Sequence, residues 1–198
     1  ALVSSRVRDE IAKRILGGQS AVWVLVESGN QAKDQAFAER LGKRLEYLES
    51  VAAIPPQDPD DPESQLGPGP ELKVGFSMVR LKRDDPKERF LRPLLAGPDN
   101  QGLPAVDEPF AAVVFGRGRV LGSWKASELG DDGIDEISLF LLGACSCRVK
   151  FMNPGWDLLM RIDWDEKLMA AEFARHPGQE GAGEPLPPLE KMEPGKKE

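Results

Sequence analysis

Apolar residues recur with a helical period, in short continuous runs or in strict alternation, and the points where the pattern changes divide the chain into elements. From Ser5 to Leu16, Val7, Ile11, Ile15 and Leu16 fall at helical spacing and Gly17-Gly18 follows as a stop, so a first helix is predicted. Ala21-Val22-Trp23-Val24-Leu25-Val26 is a continuous apolar run, the signature of a strand buried on both faces in the middle of a sheet. After the turn Glu27-Ser28-Gly29-Asn30, the stretch Gln31 to Val51 carries Ala32, Phe37, Leu41, Leu45 and Leu48 on one stripe. Lys33, Asp34, Glu39, Lys43 and Glu46 lie mostly opposite, which predicts a long amphipathic helix.

Leu72 to Leu81 reads as a second strand. Asp84-Asp85-Pro86 opens a predicted helix through Leu95, with one of the two acids as N-cap and Gly97-Pro98 as the close. Phe110 to Phe115 and Arg119 to Trp124 are two strands joined by the tight turn Gly116-Arg117-Gly118. Asp131 to Ala144 returns to helix with acids in its first turn, where the helix dipole favours them. The order is β-α-β-α-β-β-α behind an N-terminal helix. From Cys147 to Trp164, apolar and polar positions alternate on both sides of Asn153-Pro154-Gly155, which predicts an added hairpin over 147–164 and then a short helix near Asp165 to Ala174.

Two segments differ from the rest in composition. Pro55 to Pro70 and His176 to Glu198 together hold 11 of the 17 prolines and are rich in Gly and acids, so neither offers enough apolar surface to offset ordering. The first is expected as an acidic surface loop over 55–70. The expected organisation is one domain over 1–170 with a disordered tail over 171–198.

Hydrophobic residues at 40% and charged residues at 30% describe a chain able to bury a core, with no apolar run near the ~20 residues of a bilayer span. A net charge of −7 disfavours nucleic acid, whose binding draws on clustered Lys and Arg. No positively charged region followed by an apolar stretch opens the chain. The only histidine, His176, falls in the expected tail, so a His-dependent triad or a multi-histidine metal site lacks its central part. No nucleophile-base pair is visible, and the expectation leans away from an enzyme. No cofactor is expected.

Cys145-Ser146-Cys147 is the sharpest chemical feature. Two thiols two residues apart reach the same side of an extended chain. Three readings stand open: small buried core residues, a redox pair closing a strained disulfide, or a Cu(I) site of two soft thiolates. Zinc needs two further ligands, supplied only if two subunits each give a pair. Arg117 and Arg119 flank Gly118, and Arg148 and Lys150 lie on the polar face of the added hairpin. They form an anion-binding patch if these faces converge and a solvated turn if they do not. Asn30, Gln31 and Lys33, with Glu27, stand where a helix begins, and they read either as a capped helix start without ligand or as a site whose main-chain N–H groups are open to a carboxylate or a peptide backbone. Trp23 and Trp124 read as core, and Trp156 and Trp164 as core or partner contact.

The element order, the strand-turn-helix VWVLVESGNQAKDQAFAERL, Pro109 ahead of an apolar strand and the hairpin VVFGRGRVL together resemble the thioredoxin fold over about Ala21 to Ala144. The resemblance implies a three-layer α/β/α sandwich with a mixed central sheet. It also implies a cis proline facing the start of the long helix, at Pro109, with Pro104 less well placed. Thioredoxins carry Cys-x-x-Cys-Lys there; this chain has Gly29-Asn30-Gln31-Ala32-Lys33, so the usual thiol chemistry has no thiols. In ESGNQAKD, FGRGR and GACSCRVKFMNPG the chain is also similar to a bacterial group of thioredoxin-like proteins lacking that motif, whose own activity is uncharacterised. The implied function is a redox-inactive binding or scaffolding domain, with a protein partner, in a larger bacterial assembly or an exported or envelope-associated protein. The alternative is a thiol-disulfide oxidoreductase or copper-handling protein using Cys145 and Cys147.

Overall fold

The run Ala21 to Val26 is the strand that everything else covers. In the computed structural model, which describes residues 3–56, 58, 60, 69–98, 107–142 and 154–175, the elements follow in order. They are α1 (Arg6–Leu16), β1 (Gln19–Val26), α2 (Gln31–Val51), β2 (Lys73–Leu81), α3 (Leu91–Ala96), β3 (Phe110–Phe115), β4 (Arg119–Lys125), α4 (Asp131–Phe140), β5 (Trp156–Asp157) and α5 (Trp164–Arg175). The strands form one mixed five-stranded sheet in the order β2-β1-β3-β4-β5. β2 lies parallel to β1, as its helical crossover demands, and the other neighbours pair antiparallel.

Alternation along β1 builds two cores. Val22, Val24 and Val26 face α1 and α3 through Val7, Ile11, Ile15, Leu91 and Leu95. Ala21, Trp23 and Leu25 face α2 and α4 through Phe37, Leu41, Leu45, Leu48 and Ile134. A strand covered on both faces has no polar side, which is why its sequence is continuous rather than alternating. The chain is thus an α/β protein with helices on both faces of a mixed sheet.

Two helix boundaries differ from the sequence expectation. The helix expected from Asp84 through Leu95 is confined to Leu91–Ala96, and its N-cap position is Phe90, not an acid. Pro93 explains the delay: a helix already running at Asp85 would need its N–H and would clash with its ring, whereas in the first turn that N–H has no intrahelical partner to lose. Asp85 instead accepts from the Lys87 N–H at 2.9 Å in a local turn. The helix expected to Ala144 ends at Phe140, and residues 143–153 lie outside the described residues.

The described arm of the added hairpin is a strand only over Trp156–Asp157, paired with Val120 and Arg119. Leu158 N–H then reaches the Gly118 carbonyl at 2.9 Å, and β4 has run out into its turn, so Leu159 to Asp163 have no strand to join. The expected opposite arm lies outside the described residues. Trp164 opens α5 instead of closing a strand; the short helix expected near Asp165 to Ala174 is found over Trp164–Arg175, so residues 171–175, also counted in the expected tail, are its last turn. There Glu172 accepts from the Gly69 N–H at 3.0 Å. Of the tail, 176–198 lies outside the described residues.

The tryptophans point inward. Trp23 is fully buried, with Trp124 tilted against it at 6.3 Å between ring centroids. Trp156 donates to the Leu94 carbonyl at 2.6 Å, and it and Trp164 pack against the α1/α3 core. Gly97 has φ +80°, and a Cβ on it would fall inside the Trp156 indole. Gly97→Ala is therefore expected to cost about 2–4 kcal/mol, from backbone strain and overpacking together. The check is a lowered urea midpoint with altered tryptophan emission; an unchanged midpoint counts against this packing.

Candidate functional site

The start of α2 is built by a carboxylate that reaches back into the preceding turn. Asp34, only 3% exposed, accepts from Ser28 N–H at 2.8 Å, Ser28 Oγ at 2.7 Å and Gly29 N–H at 3.0 Å. Ser28 Oγ in turn accepts from Asn30 N–H at 3.1 Å, and Asn30 Oδ1 caps the helix by accepting from Lys33 N–H at 3.2 Å. Gly29 supplies φ +90° between them, a conformation a side chain resists. The turn Ser28-Gly29-Asn30 is thereby closed on itself with its buried polar groups paired.

Around this turn stands a polar rim. Lys33 Nζ donates to the Asp107 carbonyl at 2.7 Å and lies 3.5 Å from its carboxylate. Arg80 binds Glu27 at 2.7 Å and Gln35 at 3.0 Å, and Arg83 donates to the Ser28 carbonyl at 2.8 Å. Gln31 is exposed at the first helical position. Pro109 is buried two residues after Asp107, and its carbonyl accepts from Ala126 N–H at 2.9 Å. No described peptide bond is cis, so the cis expectation at Pro109 is corrected to trans. Trans is the intrinsic preference of an X–Pro bond, and here the carbonyl extends the ladder to β4.

Asn30, Gln31, Lys33 and the Pro109 loop thus share one end of the sheet. Arg117 and Arg119 stand at the other, because β1 runs from Ala21 opposite Phe115 to Val26 opposite Phe110. Each of the two is tied to its surroundings. Arg117 pairs with Asp165 at 2.5 Å; Arg119 pairs with Asp157 at 3.3 Å and donates to the Gly155 carbonyl at 3.0 Å. Beside them an open depression of about 740 Å³ is lined by Arg117, Met160, Trp164 and Asp165 among others. Pro104, Arg148, Lys150, Cys145 and Cys147 lie outside the described residues. Among the described residues no group of three or more His, Cys, Asp or Glu is placed to hold a metal ion, and no helix is long and apolar enough to cross a membrane.

The sequence reading missed Asp34, which it placed on the polar stripe of α2. Its only trace is an acid in the first turn of a helix that follows Ser-Gly-Asn. Chemically, Ser28 and Asp34 make no nucleophile: the hydroxyl is buried, and it donates to a carboxylate whose other bonds are to main-chain N–H groups. The arrangement presents donors and acceptors on a rigid turn.

Removing Asp34 leaves the two buried Ser28 donors and the part-buried Gly29 N–H without their acceptor, so Asp34→Ala is expected to lose about 2–4 kcal/mol in chemical denaturation; a loss below 1 kcal/mol contradicts the lock. At the same end of the sheet, Lys125 Nζ at 2.9 Å and its main-chain N–H at 3.3 Å both donate to Glu128. These bonds hold the Glu128 carboxyl below its ordinary value, the Lys125 side chain contributing most. A carboxyl depressed in the folded state adds stability above its unfolded value and loses it as pH falls through the folded one. A carboxyl NMR titration should place Glu128 below an ordinary glutamate and return it upward in Lys125→Met; no upward movement would contradict the pairing. No protein-family profile, curated protein or solved structure matches this chain.

Proposed function

We propose that the chain is a thioredoxin-like domain that has given up thiol chemistry and serves as a binding or scaffolding module for a protein partner. Support for the fold comes from the element order and from the strand order β2-β1-β3-β4, with β2 parallel and β3 antiparallel to β1. The observation that carries the function is the filling of the position where a redox pair would stand. Gly29 and Ala32 are there in place of thiols, and the buried Ser28–Asp34 pair, bonded to Asn30, fixes the turn. A dithiol must open and close as it reacts, whereas a turn locked by its own hydrogen bonds is suited to presenting a constant surface.

The contact surface in this reading is the rim of Glu27, Asn30, Gln31 and Lys33. It offers a carboxylate, two amides and an ammonium beside the start of a 21-residue helix, a set that recognises peptide backbone or a carboxylate. The setting we infer is a larger bacterial assembly or an exported protein.

A disulfide-reductase assay on insulin separates this reading from the redox alternative. The chain should show no turnover above the background of the small-molecule thiol, and Cys145→Ser and Cys147→Ser should leave that rate unchanged. Efficient turnover abolished by either substitution would sink the proposal and assign the chemistry to the Cys-Ser-Cys pair.

A further inference from the structure

Among the described residues β2 is an edge strand, and two of its outward main-chain groups are met by side chains from two helices. Lys73 N–H bonds Gly18 and the Leu81 carbonyl accepts from Glu27, so the odd residues of β2 bond toward β1. In the regular register from Phe76 to Leu81, Phe76, Met78 and Arg80 therefore turn their N–H and C=O groups outward. Two of these positions are occupied. Phe76 N–H donates to Glu49 Oε1 at 2.7 Å, and the Met78 carbonyl accepts from Arg14 Nη1 at 3.0 Å.

Glu49 belongs to α2 and Arg14 to α1, and these helices pack on opposite faces of the sheet. The two side chains come over the edge from either side, the carboxylate standing where a neighbouring strand would place a carbonyl and the guanidinium where it would place an N–H. Arg14 is itself held by Glu10 at 2.8 Å.

The strand beneath them needs such cover. Val74-Gly75-Phe76-Ser77-Met78-Val79 is a six-residue window without charge or proline, bounded by Lys73 and Arg80. Windows of this kind on an unpaired edge recruit another strand, and edge charges are a common means of preventing it. The strand most available in a solution of this protein is its own copy. Antiparallel pairing about Ser77 would set Phe76 of one chain against Met78 of the other, the same two residues that are occupied.

We propose that Glu49 and Arg14 are edge guards that keep β2 from pairing antiparallel with β2 of a second copy of this chain. The test compares wild type, Glu49→Ala/Arg14→Ala and Glu49→Gln/Arg14→Lys by sedimentation and by amide hydrogen exchange over a concentration series. The alanine pair should lower the dimer dissociation constant at least tenfold, with the Phe76 and Met78 amides gaining protection as concentration rises. The Gln/Lys pair, which still accepts and donates at the edge, should associate as wild type does.

A folded alanine pair that associates no more than wild type overturns the proposal. So does a dimer in which those two amides gain no protection, or association of the Gln/Lys pair equal to that of the alanine pair. Should the alanine pair lose its circular dichroism spectrum, Glu49→Ala alone, which leaves Arg14 with Glu10, is read by the same criteria.

Discussion

Burial of β1 on both faces is the constraint from which the rest of the molecule follows. Six consecutive residues, Ala21 to Val26, are at most 2% exposed, and at roughly 25 cal/mol per Å2 of apolar surface such a strand gains only if both sides are covered. One side takes α1 and α3, the other α2 and α4. The crossover through α2 makes β2 parallel, and the tight turn after β3 makes β4 antiparallel. With the centre fixed, β2 is left as an edge and the start of α2 emerges at the end of the sheet where β3 begins.

Polar groups inside this frame act as ties between segments distant in sequence. Glu88 is buried, and its carboxylate accepts from Val7 N–H at 3.0 Å, capping α1 from 81 residues away. Arg8, equally buried, donates from Nε to the Leu159 carbonyl at 2.9 Å and so fastens α1 to the segment leading into α5. Desolvation lowers the Arg8 pKa, and the charges of Glu88 and Asp9 oppose the shift. Such groups cost much if left single, so they specify which segments meet. Ser28 and Asp34 do the same over a shorter span.

The core was legible because it is periodic. α2 is found over the same residues that its apolar stripe predicts, Gln31–Val51, and β3 over Phe110–Phe115. The misread places are those where one residue's role depends on a distant partner. Pro93 shortened α3, a boundary hidden by the stronger-looking Asp-Asp-Pro start. The C-terminal alternation suggested a strand, yet a strand extends only as far as its neighbour, and β4 turns away at Gly118. Asp34 has the spacing of a surface residue and is buried because Ser28 and Gly29 turn their donors toward it. No sequence period records that turn. Of the candidate site, the helix start and its cap were readable and the lock beneath them was not.

Charge gives the last constraint on what this surface can bind. Arg117 is committed to Asp165, Arg119 to Asp157, Arg44 to Asp135, Arg80 to Glu27 and Lys125 to Glu128. The Arg44 pair is bidentate, and the bond to Asp135 raises the arginine's pKa. An anionic ligand at any of these cations must displace a carboxylate already in place, in a chain carrying 33 acids against 26 basic residues. Exposed pairs are weak, about 0–1 kcal/mol each, but their number denies the continuous positive field that a polyanion requires. Recognition then rests on short-range hydrogen bonding at a fixed turn, which is what the locked start of α2 supplies.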